Sequence, residues 1–186
     1  MIRPVRKEDL VRLAEIIVFN NRKNYYPIFQ DIVYSFKEYN AVSVMNMFEN
    51  DPVFMISTYV FEDEVIKGFI TVYEGEILKL YVDSFFQNQK IGQKLIDAFP
   101  DARHLWALQK NTGAIAFYRR NGFTWDKTTK KEESVKKEVK QQEKKGKKVI
   151  KKEEEAKMEI EGTKEEEEEI EQLGNAYYIQ KATEKN

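Results

Sequence analysis

Apolar positions change period several times along the chain, and the changes divide it into elements. Met1–Val5 reads as a short strand, and Pro4 confines it to a sheet edge because proline has no N–H for a ladder. From about Lys7, Leu10, Leu13, Ala14 and Ile17 recur at helical spacing with Val18 beside them, and Asn20, Asn21 and Asn24 mark the end. A second helical stretch, one helix or two, runs from about Phe29 to Glu49, with Ile32, Phe36, Tyr39, Val42, Met45 and Met47 as its apolar positions. Three strands follow: Val53–Phe61, Val65–Tyr73 and Glu76–Val82. The turns Glu62-Asp63-Glu64 and Glu74-Gly75 between them predict an antiparallel meander. Ile91, Leu95, Ile96 and Phe99 then describe a helix stopped by Pro100. His104–Leu108 reads as a strand, Ala114 to Arg120 as a helix closed by Asn121-Gly122, and Phe123–Trp125 as the start of another strand.

This order is mixed α/β, a meander feeding a β-α-β unit. The aromatic run Ala176–Gln180 lies beyond a charged stretch and is too apolar to stand alone. Its nearest unpaired partner in sequence is Phe123–Trp125, so 127–170 reads as an insertion in the loop of a C-terminal hairpin. The expectation is one domain, with a core formed by 1–126 and 171–181.

Composition sharpens that division. Of the 186 residues, 127–170 hold 14 Lys and 14 Glu, while all 12 Phe, 10 Tyr and 2 Trp lie outside. Residues 130–152 carry 11 Lys and 4 Glu, and 153–171 carry 11 Glu and 2 Lys. Such a segment cannot make a core. Lys and Glu favour helix, so the alternatives are a disordered loop, transient helices or a projecting helical hairpin. Disorder with transient helix is favoured.

There is no Cys and one His, at 104, which excludes disulfide scaffolds, thiol nucleophiles and multi-histidine metal sites. No metal is expected. The N-terminal MIRPVRKED lacks an apolar leader and no run approaches 18 apolar residues, so a soluble, cytoplasmic chain is expected. The net charge of -1 gives no reason to expect nucleic acid, and no apolar stripe supports membrane insertion.

The most informative local feature is the strand ending at Val82, followed by Asp83-Ser84-Phe85-Phe86, then Gln87-Asn88-Gln89-Lys90-Ile91-Gly92, then a helix. A polar segment at a strand-to-helix junction exposes backbone N–H groups and can form an anion site. Lys90 and Lys94 add charge. A plain loop with a helix cap explains the same residues.

The stretch Leu80-Tyr81-Val82-Asp83 to Gln87-Asn88-Gln89-Lys90-Ile91-Gly92 resembles the acyl-CoA-binding motif of the GCN5-related N-acetyltransferase (GNAT) superfamily. Gln87 and Gly92 fit that motif, and Lys90 replaces its first glycine. A second stretch, Asn111, Ala114, Ala116-Phe117-Tyr118 and Asn121-Gly122-Phe123, is similar to another motif of the same family. The two also stand at the family's separation. The resemblance covers about 1–125 and 174–181.

The resemblance implies a GNAT-like fold, a twisted, mostly antiparallel sheet flanked by helices. It also implies transfer of an acetyl group from acetyl-CoA to a primary amine. Backbone groups of Leu80 and Val82 would hold the pantetheine arm where the strand carries a bulge and splays from the strand at His104–Leu108. Backbone groups from Gln87 through Gly92, and at Gln93, would wrap the pyrophosphate, with Asn111 facing the cofactor. A backbone N–H near Leu80 or Tyr81 would steady the oxyanion. Tyr118 would protonate the leaving thiolate, since a phenol with pKa of about 10 carries its proton at neutral pH. Core packing is the alternative role for Tyr118.

Glu76 is the candidate general base, although a turn position needs no function. His104 lies too far along the neighbouring strand to be preferred, and Asp83 reads as a turn or cap. Lysine at position 90 forfeits the conformational freedom of glycine, so a weak or inactive acyl-CoA-binding protein is the alternative function. The acceptor groove in this family is made by the first two helices and the last hairpin loop. Here Tyr25, Tyr26, Phe29, Tyr34 and Tyr39 are its candidates. The acceptor is a small-molecule or peptide amine, and the chain a monomer or homodimer.

Overall fold

Pro4 ends strand β1 (Ile2–Pro4) at one edge of a seven-stranded sheet, as its missing N–H requires. The computed structural model describes residues 1–130 and 176–181. The strand order is β1-β2-β3-β4-β5-β7-β6. The remaining strands are β2 (Thr58–Asp63), β3 (Val65–Tyr73), β4 (Glu76–Val82), β5 (His104–Leu108), β6 (Phe123–Lys130) and β7 (Ala176–Lys181). All neighbours pair antiparallel except β4 and β5, which are parallel.

The helices are α1 (Leu10–Asn24), α2 (Tyr26–Phe29), α3 (Ala41–Glu49), α4 (Pro52–Ser57), α5 (Ile91–Asp97) and α6 (Thr112–Arg120). A 3-10 turn at Lys7–Asp9 leads into α1. Helices α1, α3 and α4 cover one face of the sheet. Leu13, Ile17, Val44, Phe48, Phe54 and Phe69 form the core there. Phe48 and Phe54 stack with centroids 3.9 Å apart, both edge-on to Phe69. On the other face, Ile70, Leu95, Ile96, Leu105, Phe123 and Ile179 pack with α5 and α6. Full burial of each such side chain contributes about 1.5–3 kcal/mol.

Two expectations change. The strand expected over Val53–Phe61 is helical through Ser57 and becomes a strand only at Thr58. Asp51 is the cause: its Oδ1 accepts from the N–H groups of Val53 and Phe54 at 3.0 and 3.1 Å, and Pro52 takes the first helical position. These two residues outweigh the β-branched composition that follows. The stretch Phe29–Glu49, expected as one helix or two, is broken into three pieces. It comprises the end of α2, a π turn at Tyr34–Glu38 and α3, with Asn40 capping α3 through the N–H of Ser43.

The meander and the β-α-β unit lie where the sequence placed them. Strand β7 pairs with β6, as its apolar character predicts, but it also pairs along its whole length with β5. It is therefore an interior strand lying between β5 and β6. The inserted segment expected over 127–170 overlaps β6 at 127–130, and the rest of it lies outside the described residues.

Candidate active site

Strands β4 and β5 share a single paired position, Glu76 with His104. Beyond it they diverge, so the edge of β4 from Lys79 to Val82 has no ladder to β5. Opposite, β3 keeps β4 in register, with one interruption between Thr71 and Val72 that leaves Leu78 as the extra residue of a bulge. The bulge resets the alternation of side chains. Ile77, Leu80 and Val82 pack with the α5–α6 core, while Tyr81 packs against the α1–α3 core.

The divergence opens a cleft of about 690 Å³. Leu80, Tyr81, Val82, Gln87, Asn88, Lys90, Ile91, Gly92, Gln93, Asn111 and Tyr118 all line it, so the two sequence motifs meet on opposite walls. Gln89, Lys94 and Glu76 do not line it. The Lys94 ammonium lies 5.4 Å over the ring of Phe61. Glu76 sits at the closed end of the splay, with Oε2 3.8 Å from Nε2 of His104. Of the aromatic residues expected along an acceptor groove, Tyr25 lines the cleft. Tyr26 packs on Phe36, and Tyr34 on Tyr39.

The loop after β4 is held by side chains rather than by a ladder. Asp83 Oδ1 accepts from the N–H of Phe85, and its carboxylate also pairs with Arg12 of α1. Asn20 Nδ2 donates to the carbonyls of Ile16 at 2.8 Å and Val82 at 3.2 Å. The loop turns through left-handed backbone at Asn88 (φ 63°) and Lys90 (φ 59°). Lysine thus adopts the conformation for which glycine is the usual residue, at a cost of roughly 1–2 kcal/mol. Gly92 is required for packing rather than for its φ. A Cβ there would lie 3.0 Å from Cζ of Phe117, which presses α6 onto α5.

Asn111 caps α6, its Oδ1 accepting from the N–H of Ala114 at 3.2 Å. Tyr118 is buried between Phe117 and Phe123, with centroids 5.3 and 5.6 Å away. Burial, with a smaller contribution from Tyr25, raises its phenol pKa well above the ordinary value. Tyr25 spans the walls. Burial raises its pKa, while side-chain hydrogen bonds with Tyr81 and Asn111 oppose the rise. The Tyr81 hydroxyl donates to Oδ1 of Asn21 at 3.4 Å.

The family model described as "Acetyltransferase (GNAT) domain" matches residues 55–125, which run from α4 to the start of β6 and include both walls of the cleft. That match makes this part of the chain similar to GNAT acetyltransferases. Comparison with curated proteins finds no match. Solved structures share the fold at low identity, and two of the following three are named N-acetyltransferases. The PaiA N-acetyltransferase from Thermoplasma acidophilum, solved with coenzyme A, is 21% identical, with a TM-score of 0.54. That match covers 69% of this chain and 91% of that one. Apo YjaB from Escherichia coli is 14% identical, with a TM-score of 0.61 and coverage of 97% and 95%. An N-acetyltransferase from Staphylococcus aureus is 12% identical, with a TM-score of 0.58 and coverage of 97% and 99%.

Likeness to this family over 55–125 bears on the divergence of β4 and β5. Backbone amides and carbonyls from Lys79 to Val82 are left without a ladder on that side, as a chain of ligand amides laid along the strand requires. The charged side chains lining the cleft are Lys79, Lys90 and Arg120, and among the described residues no carboxylate lines it. That charge suits an anionic cofactor. The sequence reading missed Asn20, Lys79 and Arg120. Asn20 resembles a helix terminator, and although the resemblance implies a bulge in β4, nothing in the sequence places it at Leu78, where it turns Lys79 inward.

Proposed function

We propose that the protein is an N-acetyltransferase that moves the acetyl group of acetyl-CoA to a primary amine. The observation that carries this reading is the open edge of β4 facing Asn111 and Tyr118 across one cleft. Acetyl-CoA, when bound, supplies a thioester carbonyl open to direct attack by a neutral amine. Backbone groups of Leu80 and Val82 hold the arm. Those of Gln87 through Gln93 wrap the pyrophosphate, with Lys90 adding charge from its exposed position. An N–H near Leu80 or Tyr81 receives the charge that develops on the carbonyl oxygen.

Tyr118 donates its phenolic proton to the departing sulfur. Its raised pKa keeps it protonated throughout the neutral and mildly alkaline range. The acceptor's proton leaves through water. Glu76, held at the closed end beside His104, takes part as base only through such a relay. In this reading 127–170 is a charged insertion that leaves the domain at β6 and returns at β7, and the acceptor is a small-molecule or peptide amine. Thiol release from acetyl-CoA against an amine panel tests the proposal. Release that depends on an acceptor supports it. CoA binding without release for any amine would favour the catalytically silent alternative.

A further inference from the structure

Lys79 is a cation that lines the cleft. Within the described residues it makes no ion pair within 4 Å, although Lys67, on the neighbouring strand β3, pairs with Asp63 at 2.7 Å. The bulge at Leu78 puts Lys79 on the same side of β4 as Tyr81, which reaches Asn21 and Tyr25 of the α1 region. Helix α5 and the loop of Gln87–Gly92 belong to the other face. Lys79 therefore lines the cleft on the side of the first helices, where the resemblance places the acceptor.

We propose that Lys79 selects acceptors that carry a carboxylate close to the reacting amine. This rests on the acetyltransfer reading. Two features of the lining support it. First, the absence of a lining carboxylate leaves the described part of the cleft nothing to bind a polycationic acceptor, and a cationic wall disfavours the protonated form of any amine. A carboxylate paired with Lys79 anchors the acceptor, while Lys90 and Arg120 in the same lining still disfavour the protonated amine, so the neutral form that attacks is retained. Second, Lys79 shares its side of β4 with Tyr81, and Tyr25 and Asn24 also line the cleft, all neutral groups that can donate hydrogen bonds. The carboxylate that acts on Lys79 is that of Asp51. Its Oδ1 caps α4 through Val53 and Phe54. Packing withdraws water from Lys79 and pushes its pKa down, with Asp51 opposing. An ammonium so placed gains more from a charged ligand than an exposed one does.

The test uses the intact chain and acceptor pairs that differ only in the acid, such as alanyl-glutamate and its diamide, with spermidine as a cationic probe. The inference predicts that kcat/KM for the acid exceeds that for the diamide by about 10–100-fold. Lys79→Met should erase this preference by raising KM for the acid much more than for the diamide, and Lys79→Arg should retain part of it. Equal use of acid and diamide, a preference for spermidine, or a kcat loss in Lys79→Met alike for both acceptors would overturn it. If no acceptor releases thiol, equilibrium binding of the same pair to the CoA-saturated protein decides the matter separately. Acid-selective binding lost in Lys79→Met upholds the inference though the acetyltransfer reading falls, and unselective binding overturns both.

Discussion

Asn20 and Gln87, 67 residues apart in sequence, meet at one carbonyl. Gln87 Nε2 lies 3.3 Å from both Asn20 Oδ1 and the carbonyl oxygen of Val82, to which Asn20 Nδ2 also donates at 3.2 Å. The last carbonyl of β4 is thereby fixed by α1 on one side and by the first residue of the candidate pyrophosphate loop on the other. Asn20 is 3% exposed, so no water can substitute for it without rearrangement.

Asn20→Ala should cost about 1–3 kcal/mol, the range for leaving a buried polar group unsatisfied. It should also weaken CoA binding through the loop, while Asn20→Ser keeps part of both. Urea unfolding and CoA titration of the two variants measure this. Unchanged binding in a destabilised Asn20→Ala protein would confine the residue to the fold.

Tyr118→Phe keeps the ring between Phe117 and Phe123 and removes only the hydroxyl. We expect kcat to fall by about 10–10³-fold with little change in acetyl-CoA affinity. The raised pKa sets the pH profile. The acid form persists until pH passes the raised value, so kcat should show no alkaline loss up to about pH 10, the ordinary phenol pKa. A decline through pH 8–9 in the wild type would assign the proton to another group.

Lys90→Gly should relieve the left-handed backbone and stabilise the fold by about 1 kcal/mol, after allowing for the greater freedom of glycine in the unfolded chain. It also removes an ammonium from the loop, so CoA should bind more weakly even as the midpoint of urea unfolding rises. Gly92→Ala should act in the opposite sense on stability. Its Cβ meets Phe117 at 3.0 Å, an overpacking that costs about 1–3 kcal/mol.

Asp9 accepts from both Arg3 guanidinium nitrogens and from the N–H of Arg6. Burial opposes its charge, but these bonds prevail and hold its pKa below the ordinary carboxylate value. A carboxyl with a depressed folded pKa stabilises the fold above its unfolded pKa and loses that contribution as pH falls through the folded one. Wild-type stability should therefore drop below about pH 4. Asp9→Asn should cost about 3–5 kcal/mol at neutral pH and flatten this acid dependence. An unchanged acid limb in the variant would place the titrating group elsewhere.

The sequence was most legible where period and turn chemistry agree. Strands β3, β4 and β5 keep the bounds that alternation and the turns at Glu64 and Glu74-Gly75 predict, and the two motifs face each other as the resemblance implies. It was least legible where one residue acts across the fold. Asp51 converts a β-branched run into α4 by capping it. The bulge at Leu78 reverses the faces of β4, bringing Lys79 into the cleft. Asn20 reads as a helix end because its partners, Val82 and Gln87, are distant in sequence. The same non-locality hid the second neighbour of β7. Pairing with β6 followed from proximity in the chain, whereas pairing with β5 depends on the sheet as a whole.

Backbone hydrogen exchange on adding CoA tests the central claim most directly, that the arm of the cofactor lies along the open edge of β4. The account predicts slower exchange at amides within Lys79–Val82 and Gln87–Gln93, with no comparable change at the fully paired strands β2 and β3. Binding without protection of β4, or protection confined to another part of the sheet, would contradict it.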